Sequence, residues 1–305
     1  MSKVTILMSV YNGERYISNQ IYSLLQQTCQ SWILYIRDDG STDETLQIIQ
    51  RFVDLDGRIK LIIDDEKNLG AGKSFWKLLQ YSNSEYTIFC DQDDIWFEQK
   101  LENLVNFAEI ELATNQVGFV YCDAHAYADT SGVITSQSVS HLHANKLKDF
   151  IFFNSGYQGC SILFNRALLD MAKDYTSDFY MHDDIVSLIG VVFGKCLFLS
   201  KSLMLYRQHY KQVTGNTKKT KLDMLKTFFD RNKSVINKTH YDEKMHFYNF
   251  YKDKISVSDD QLFNNYFKYA NATLLSRLLI IIRNKFTLGG YKLPLILKTI
   301  LRKPM

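Results

Sequence analysis

The feature that most constrains this chain is the alternation in its first ninety residues of apolar runs with helical spacing. KVTILMSVY, WILYIRDD, IKLIIDD and YTIFCDQDD each read as a strand. Between them, Ile17, Ile21, Leu24 and Leu25 recur at helical spacing. TDETLQIIQRFVDL and GKSFWKLLQYS supply two more helices, the former opening on Ser41 or Thr42 as its cap. Strand-helix units this short predict an α/β fold with a mostly parallel, doubly wound sheet and right-handed crossovers.

Three of the strands end in acid: Asp38 and Asp39, then Asp64 and Asp65, then Asp91, Asp93 and Asp94. Ligands of open α/β sheets bind beyond the carboxyl ends of the strands, so these acids are expected to converge on one cleft. Farther on, FxxxLxxLVxxA from Phe97 gives a helix, and VGFVYCDAHAYAD and GCSILF give strands of a mixed second half. DIVSLIGVVFGKCLFL reads as a helix, a stop at Gly194 and a strand. After YRQH the composition turns lysine-rich and then helical. A boundary near residue 215 is therefore expected, with a catalytic domain over 1–215 and a basic helical extension over 216–305.

Two carboxylates ~4 Å apart repel by about 4 kcal/mol at the effective dielectric of a protein surface. Asp91 and Asp93 therefore call for a counter-charge, and a divalent cation is the simplest. Mg²⁺ or Mn²⁺ takes oxygen ligands, one or two of them carboxylates, the rest water and substrate phosphate. The plainer alternative is a strand-end turn with a helix cap, for which Asp94 is the candidate.

Composition narrows the field. With 46% hydrophobic and 14% aromatic residues, the 305-residue chain has ample core. The five cysteines (Cys29, Cys90, Cys122, Cys160, Cys196) form no CxxC pair and read as reduced core residues of a cytoplasmic protein. The N-terminal residues lack a secretory pattern, and no uncharged apolar run approaches the ~18 residues of a membrane span.

Several segments together resemble the inverting family 2 glycosyltransferases of the GT-A, nucleotide-diphospho-sugar transferase fold. They are SVYN, RDDGSTDET, NLGAGKSF, DQDDIW, QGCSILFN, MHDDIVSL and YRQH, in the family's order over roughly residues 3–215. DQDDIW, HDD and YRQH look most like bacterial rhamnosyltransferases of cell-surface polysaccharide synthesis. The resemblance implies a nucleoside-diphosphate sugar donor, dTDP-rhamnose or a UDP-sugar, and a lipid-linked or oligosaccharide acceptor. It places Tyr11, Asn12, Asp38 and Asp39 at the nucleotide base and ribose, and Asp91 and Asp93 at the metal and ribose. Asp183 falls on the catalytic base, preceded by His182 where Glu is common. Arg207 and His209 fall near the diphosphate and metal, Arg207 as a phosphate fork and His209 as a ligand. Gly159 and Cys160 fall on the acceptor pocket, with Gly156 permitting close backbone approach. Trp96 is a candidate to stack on a sugar, with simple packing as its alternative, and Asp184 is a neighbour whose charge raises the pKa of the base.

From Gln261 onward there are eight basic residues and no acidic one. NATLLSRLLIIIRNKF and KLPLILKTILRK fit either a basic amphipathic surface on the cytoplasmic face of the membrane or helices packed on the catalytic domain or on a second copy. Nucleic acid is disfavoured, since no recognition module accompanies the charge. GAGKS suggests a P-loop, but Lys67 stands where that pattern demands Gly. A sugar-phosphate nucleotidyltransferase, which would carry a Gly-rich loop after the first strand, and a non-catalytic membrane-associated scaffold are the other rivals.

Overall fold

A computed structural model describes residues 2–113, 115–140, 143–209 and 230–305. β1 (Val4–Val10), α1 (Ile17–Leu25), β2 (Trp32–Asp38), α2 (Thr45–Leu55), β3 (Ile59–Ile62), α3 (Ala71–Leu78) and β4 (Tyr86–Phe89) alternate as the sequence predicts. After them come β5 (Ile95–Trp96), α4 (Lys100–Glu111), β6 (Gly118–Ala128), β7 (Ile134–Ser136), α5 (Leu147–Phe150), β8 (Ile162–Asn165), α6 (Arg166–Asp174), α7 (His182–Phe193) and β9 (Lys195–Gln208). The strands form one nine-stranded mixed sheet in the order β3-β2-β1-β4-β8-β6-β9-β5, with β7 on β6.

The β1, β2, β3 and β4 pairings are parallel, and β8 joins β4 antiparallel. Val10 lies opposite Asp38 and Leu7 opposite Phe89, so the loops carrying Tyr11, Asp39 and Asp91 leave the sheet at one edge. Side chains alternate between faces, as the two-residue period of a strand requires. Val4, Ile6, Met8 and Val10 pack with Ile21, Ile49 and Leu104 on one face. Leu7 and Phe89 pack with Phe75, Leu168 and Ile185 on the other.

Two local expectations change. α2 opens at Thr45, where the Asp43 carboxylate accepts the Thr45 backbone N–H at 3.1 Å, while Ser41 Oγ accepts the N–H of Asn12 at 2.9 Å. Asp94 caps no helix, because β5 follows it at once. Gly194 does close α7. A Cβ there would meet the Val117 carbonyl at 1.9 Å, so only glycine lets the chain turn into β9.

The C-terminal residues form α8 (Lys238–Tyr251), α9 (Val257–Ala270), α10 (Leu274–Asn284) and α11 (Lys292–Leu301). Phe247, Tyr251, Phe263 and Tyr266 join the core that Phe89 and Ile185 belong to, so α8 and α9 complete one face of the sheet. Tyr251 stacks on Tyr175 at 5.8 Å between centroids and donates to the Met171 carbonyl at 2.8 Å. The proposed boundary near residue 215 lies outside the described residues. Among the described residues, no helix is long and apolar enough to cross a membrane.

Candidate active site

The loops after β1, β2 and β4, the start of α7 and the end of β9 enclose a cavity of about 500 Å³. Ser9, Tyr11, Asp39, Asp91, Gln92, Asp93, Gly159, His182, Asp183 and His209 are among its lining residues. The structure thus brings together Tyr11, Asp39, Asp91, Asp93, Asp183, His209 and Gly159 from elements up to two hundred residues apart.

Asp183 sits in the first turn of α7, and its Oδ2 accepts the Gly159 N–H at 3.3 Å. Burial, then the charges of Asp184 and Asp91, push its carboxyl well above the usual range. Asp91 is pushed up to about 6, by burial first and then by Asp93. Asp93 Oδ2 pairs with His209 Nε2 at 2.7 Å, and Tyr16 stacks on that imidazole at 5.0 Å. A cavity wall with raised acids is short of positive charge. Two carboxylates and an imidazole are donor types that suit Mg²⁺ or Mn²⁺, although here Asp93 and His209 are turned to each other and the three do not gather their ligand atoms around one point.

Two other groups beside Asp91 make poorer ligands, although the ligand atoms of Asp91, Asp94 and Cys160 lie within 4.8 Å of one another. Asp94 is fully buried and accepts the Arg207 backbone N–H at 3.2 Å. Burial drives the Cys160 thiol well above its usual range, so it stays protonated.

Several assigned residues stand elsewhere. Arg207 is buried and not in the cavity wall. It donates from Nη1 to Asp129 at 2.7 Å and from Nε to the Asp93 carbonyl at 2.6 Å, so it braces Asp93 from behind the cavity wall. Tyr16 and Tyr127 flank its guanidinium at 4.7 and 4.8 Å. Trp96 is 2% exposed, with Lys100 Nζ 3.7 Å above its ring, and packs in the core without reaching a sugar. Cys160 is likewise buried, and its carbonyl accepts from Lys100 at 2.7 Å.

Asp184 turns from the cavity toward α8. Its Oδ2 lies 3.0 Å from His240 Nδ1 as an ion pair rather than an aligned hydrogen bond, and its other oxygen accepts the Gly156 N–H. Burial opposes the charge on His240, but Asp184 and Glu243 outweigh it and lift the imidazole to about 9. Asp184 is held below the usual carboxylate range despite its burial, by His240 and Lys244. It raises the carboxyl of Asp183 all the same, as expected.

Asn12 and Asp38 border the site without lining it. Asn12, in the left-handed region at φ 47°, accepts the Thr42 N–H at 2.9 Å. Asp38 Oδ2 accepts the N–H groups of Gly40 and Ser41, at 3.1 and 2.9 Å. Nor do the acids of β3 converge, since Arg37 claims Asp64 through Nε at 2.7 Å and Nη2 at 3.0 Å while Asp65 is exposed. Arg37 also pairs with Asp39 at 2.8 Å. Asp39 in turn accepts the N–H groups of Leu69 and Gly70, at 3.0 and 2.8 Å. The amides of GAGKS's opening thus face a protein carboxylate, which removes the P-loop reading.

Sequence reasoning gave no role to Gln92, which sits between two acids with nothing local to mark it. Its amide brackets the Tyr11 backbone, accepting from N at 3.0 Å and donating to O at 3.1 Å. His182 was visible only as a departure from Glu.

Comparison with known proteins bears on the family and the fold. Residues 5–169 match Glycosyl transferase family 2. The chain is 28% identical over 220 residues to the dTDP-rhamnosyl transferase RfbG of Shigella flexneri, covering 68% of this chain and 73% of that one. It is also 28% identical to the UDP-Glc:alpha-D-GlcNAc-diphosphoundecaprenol beta-1,3-glucosyltransferase WfgD of Escherichia coli, covering 70% and 80%. The fold matches S. aureus TarS 1-349 in complex with UDP-GlcNAc at a TM-score of 0.59 and 15% identity, over 97% of this chain and 89% of that one. It also matches the mannosyltransferase PcManGT of Pyrobaculum calidifontis, in complex with GDP-Man and Mn2+, at 0.51 and 16%, over 69% and 58%. With more than half of its length inside the family match and the fold that the sequence resemblance implied, the chain belongs to glycosyl transferase family 2.

Proposed function

We propose that this chain is an inverting glycosyltransferase that moves a sugar, rhamnose favoured, from a nucleoside-diphosphate donor to a hydroxyl of a glycan or lipid-linked acceptor in cell-surface polysaccharide synthesis. One observation carries the reading: Asp91, Asp93 and Asp183 line the same cavity. Asp183 takes the proton of the acceptor hydroxyl, whose oxygen attacks the anomeric carbon from the face opposite the diphosphate. Asp91, Asp93 and His209 would hold the divalent cation, with Arg207 and Tyr16 fixing the Asp93–His209 pair. When bound, that ion supplies Lewis-acid stabilisation of the departing phosphate. Tyr11, half exposed, and Asp39 offer the nucleotide end of the cleft a ring face and a carboxylate. The name of RfbG supports dTDP-rhamnose as donor, and that of WfgD supports a UDP-sugar and a lipid-linked acceptor.

Incubation with dTDP-rhamnose and UDP-sugars plus Mn²⁺ or Mg²⁺ is expected to release nucleoside diphosphate. Release of pyrophosphate from a nucleoside triphosphate and a sugar phosphate would instead establish a nucleotidyltransferase. No release from any donor would leave the non-catalytic scaffold. Asp93→Ala is expected to abolish the gain in donor affinity that Mn²⁺ confers, measured by calorimetry; an unchanged gain would remove Asp93 from the metal site.

The acceptor side bears on the tail. Leu275, Leu279 and Ile282 are exposed along one stripe of α10, and Leu293 and Ile300 along one face of α11, on a segment with basic residues and no acids. We read this surface as one that lies on an anionic bilayer, where each Lys or Arg adds ~1 kcal/mol. Sedimentation with phosphatidylglycerol vesicles, weakened by Leu275→Asp with Leu279→Asp, is the expected result. A stable dimer in solution, dissociated by the same pair of changes, would assign the surface to a second copy.

A further inference from the structure

His182 occupies an unusual position for a polar side chain. It is 4% exposed, yet neither ring nitrogen has a hydrogen-bond partner among the described residues. Its ring stacks on Phe75 at 4.2 Å and meets the edge of Phe89 at 4.4 Å. Burial drops its pKa to about 3, so the ring is neutral and offers one N–H and one lone pair. Buried groups of this kind are normally paired, and an orphan costs stability unless something else meets it.

The surroundings show what meets it. His182 lines the cavity directly before Asp183, and Gly159 lies over both. A Cβ at Gly159 would fall 3.0 Å from His182 Nε2 and 3.3 Å from Asp183 Cβ, so the missing side chain keeps a polar hollow open beside the base. Two aromatic rings fix the imidazole in this hollow without touching its nitrogens. The imidazole itself is uncharged, so the group that suits its two nitrogens is neutral and both gives and accepts hydrogen bonds.

The geometry points to His182 as a substrate-contacting residue that hydrogen-bonds a neutral sugar hydroxyl held next to Asp183, and so selects which sugar is accepted there. This inference rests on the glycosyl-transfer reading above. The hydroxyl belongs either to the transferred sugar or to the acceptor, and one series of measurements separates the two.

The full chain is compared with His182→Phe, which keeps the aromatic stack and removes both nitrogens, and with Gly159→Ala, which fills the hollow and leaves the ring. His182→Phe is expected to melt at or above the wild-type temperature, and both variants to bind UDP and dTDP unchanged. If the hydroxyl is the donor's, His182→Phe lowers the affinity of UDP-glucose, UDP-N-acetylglucosamine or dTDP-rhamnose about tenfold relative to its own nucleoside diphosphate. If it is the acceptor's, donor affinity holds while KM for an octyl glycoside acceptor rises about tenfold. Either result supports the inference, with Gly159→Ala moving in the same direction and His182→Gln partly restoring the loss. Wild-type donor affinity and acceptor KM in His182→Phe would overturn it and leave the ring as packing. Should the wild-type chain release no nucleoside diphosphate from any of these donors, the glycosyl-transfer reading itself fails.

Discussion

Asp183→Asn is expected to bind a nucleotide sugar as the wild type does and to lose transfer by ~10²–10⁴-fold, the range in which a positioned general base contributes. The change keeps size and the Gly159 contact and removes only the ability to take a proton. The carboxyl is raised by burial and by two neighbouring acids, and a base works only when deprotonated. Wild-type activity should therefore fall with acid at a pH above the usual carboxylate range. The residual activity of the variant should lose that limb. Rates from pH 4 to 9 with a fixed donor test both parts, and wild-type transfer by the variant would remove Asp183 from the role.

Arg37→Met is expected to cost ~3–5 kcal/mol of folding stability, as breaking a buried ion pair from one side does. Arg37 is 1% exposed and ties Asp39, Asp64 and Ser74 Oγ together from the end of β2. Its loss strands Asp39 in the cavity wall and frees the loop whose amides Asp39 holds, so donor binding should weaken with stability. Arg37→Lys cannot restore the fork onto Asp64. The sign in acid follows from Asp64, which Arg37 holds below its ordinary value of 3.8. That stabilisation is present above the ordinary value and disappears as pH falls through the lowered one, so the wild type should lose stability in acid more steeply than the variant. Urea melts at pH 7 and pH 3 measure it, and equal midpoints for both proteins at pH 7 would contradict the argument.

Much of this architecture was written in local patterns. The strands of the parallel half carry continuous apolar runs because both faces are covered, and such runs survive any context. Asp91 and Asp93 stood out as acids at the end of a strand, while Asp183 came from the family resemblance; all three line one cavity. Other errors share one origin, which is that long-range pairing decides direction. Trp96 looks like the start of a helix until β5 pairs with Leu205 and Met204 and drives the ring inward. Arg207 stands in a motif that the resemblance places near the diphosphate, yet Asp129, far off in sequence, fixes it behind the cavity wall. Asp64 and Asp38 share a motif position, and only the register that brings Arg37 opposite Ile62 separates their fates. His182 and Gln92 act through what surrounds them, and nothing adjacent in the chain reports it.

The ion pair between α7 and α8 has an evolutionary consequence. His240 and the buried Lys244 hold the charge of the residue that follows Asp183, and the aromatic side chains of α8 fill the same core. A lineage that acquires a new tail inherits an uncompensated carboxylate beside its base unless α7 changes with it. Recombination between relatives should therefore place crossovers before α7 or within the outer helices, and natural chimeras joined between α7 and α8 should be rare.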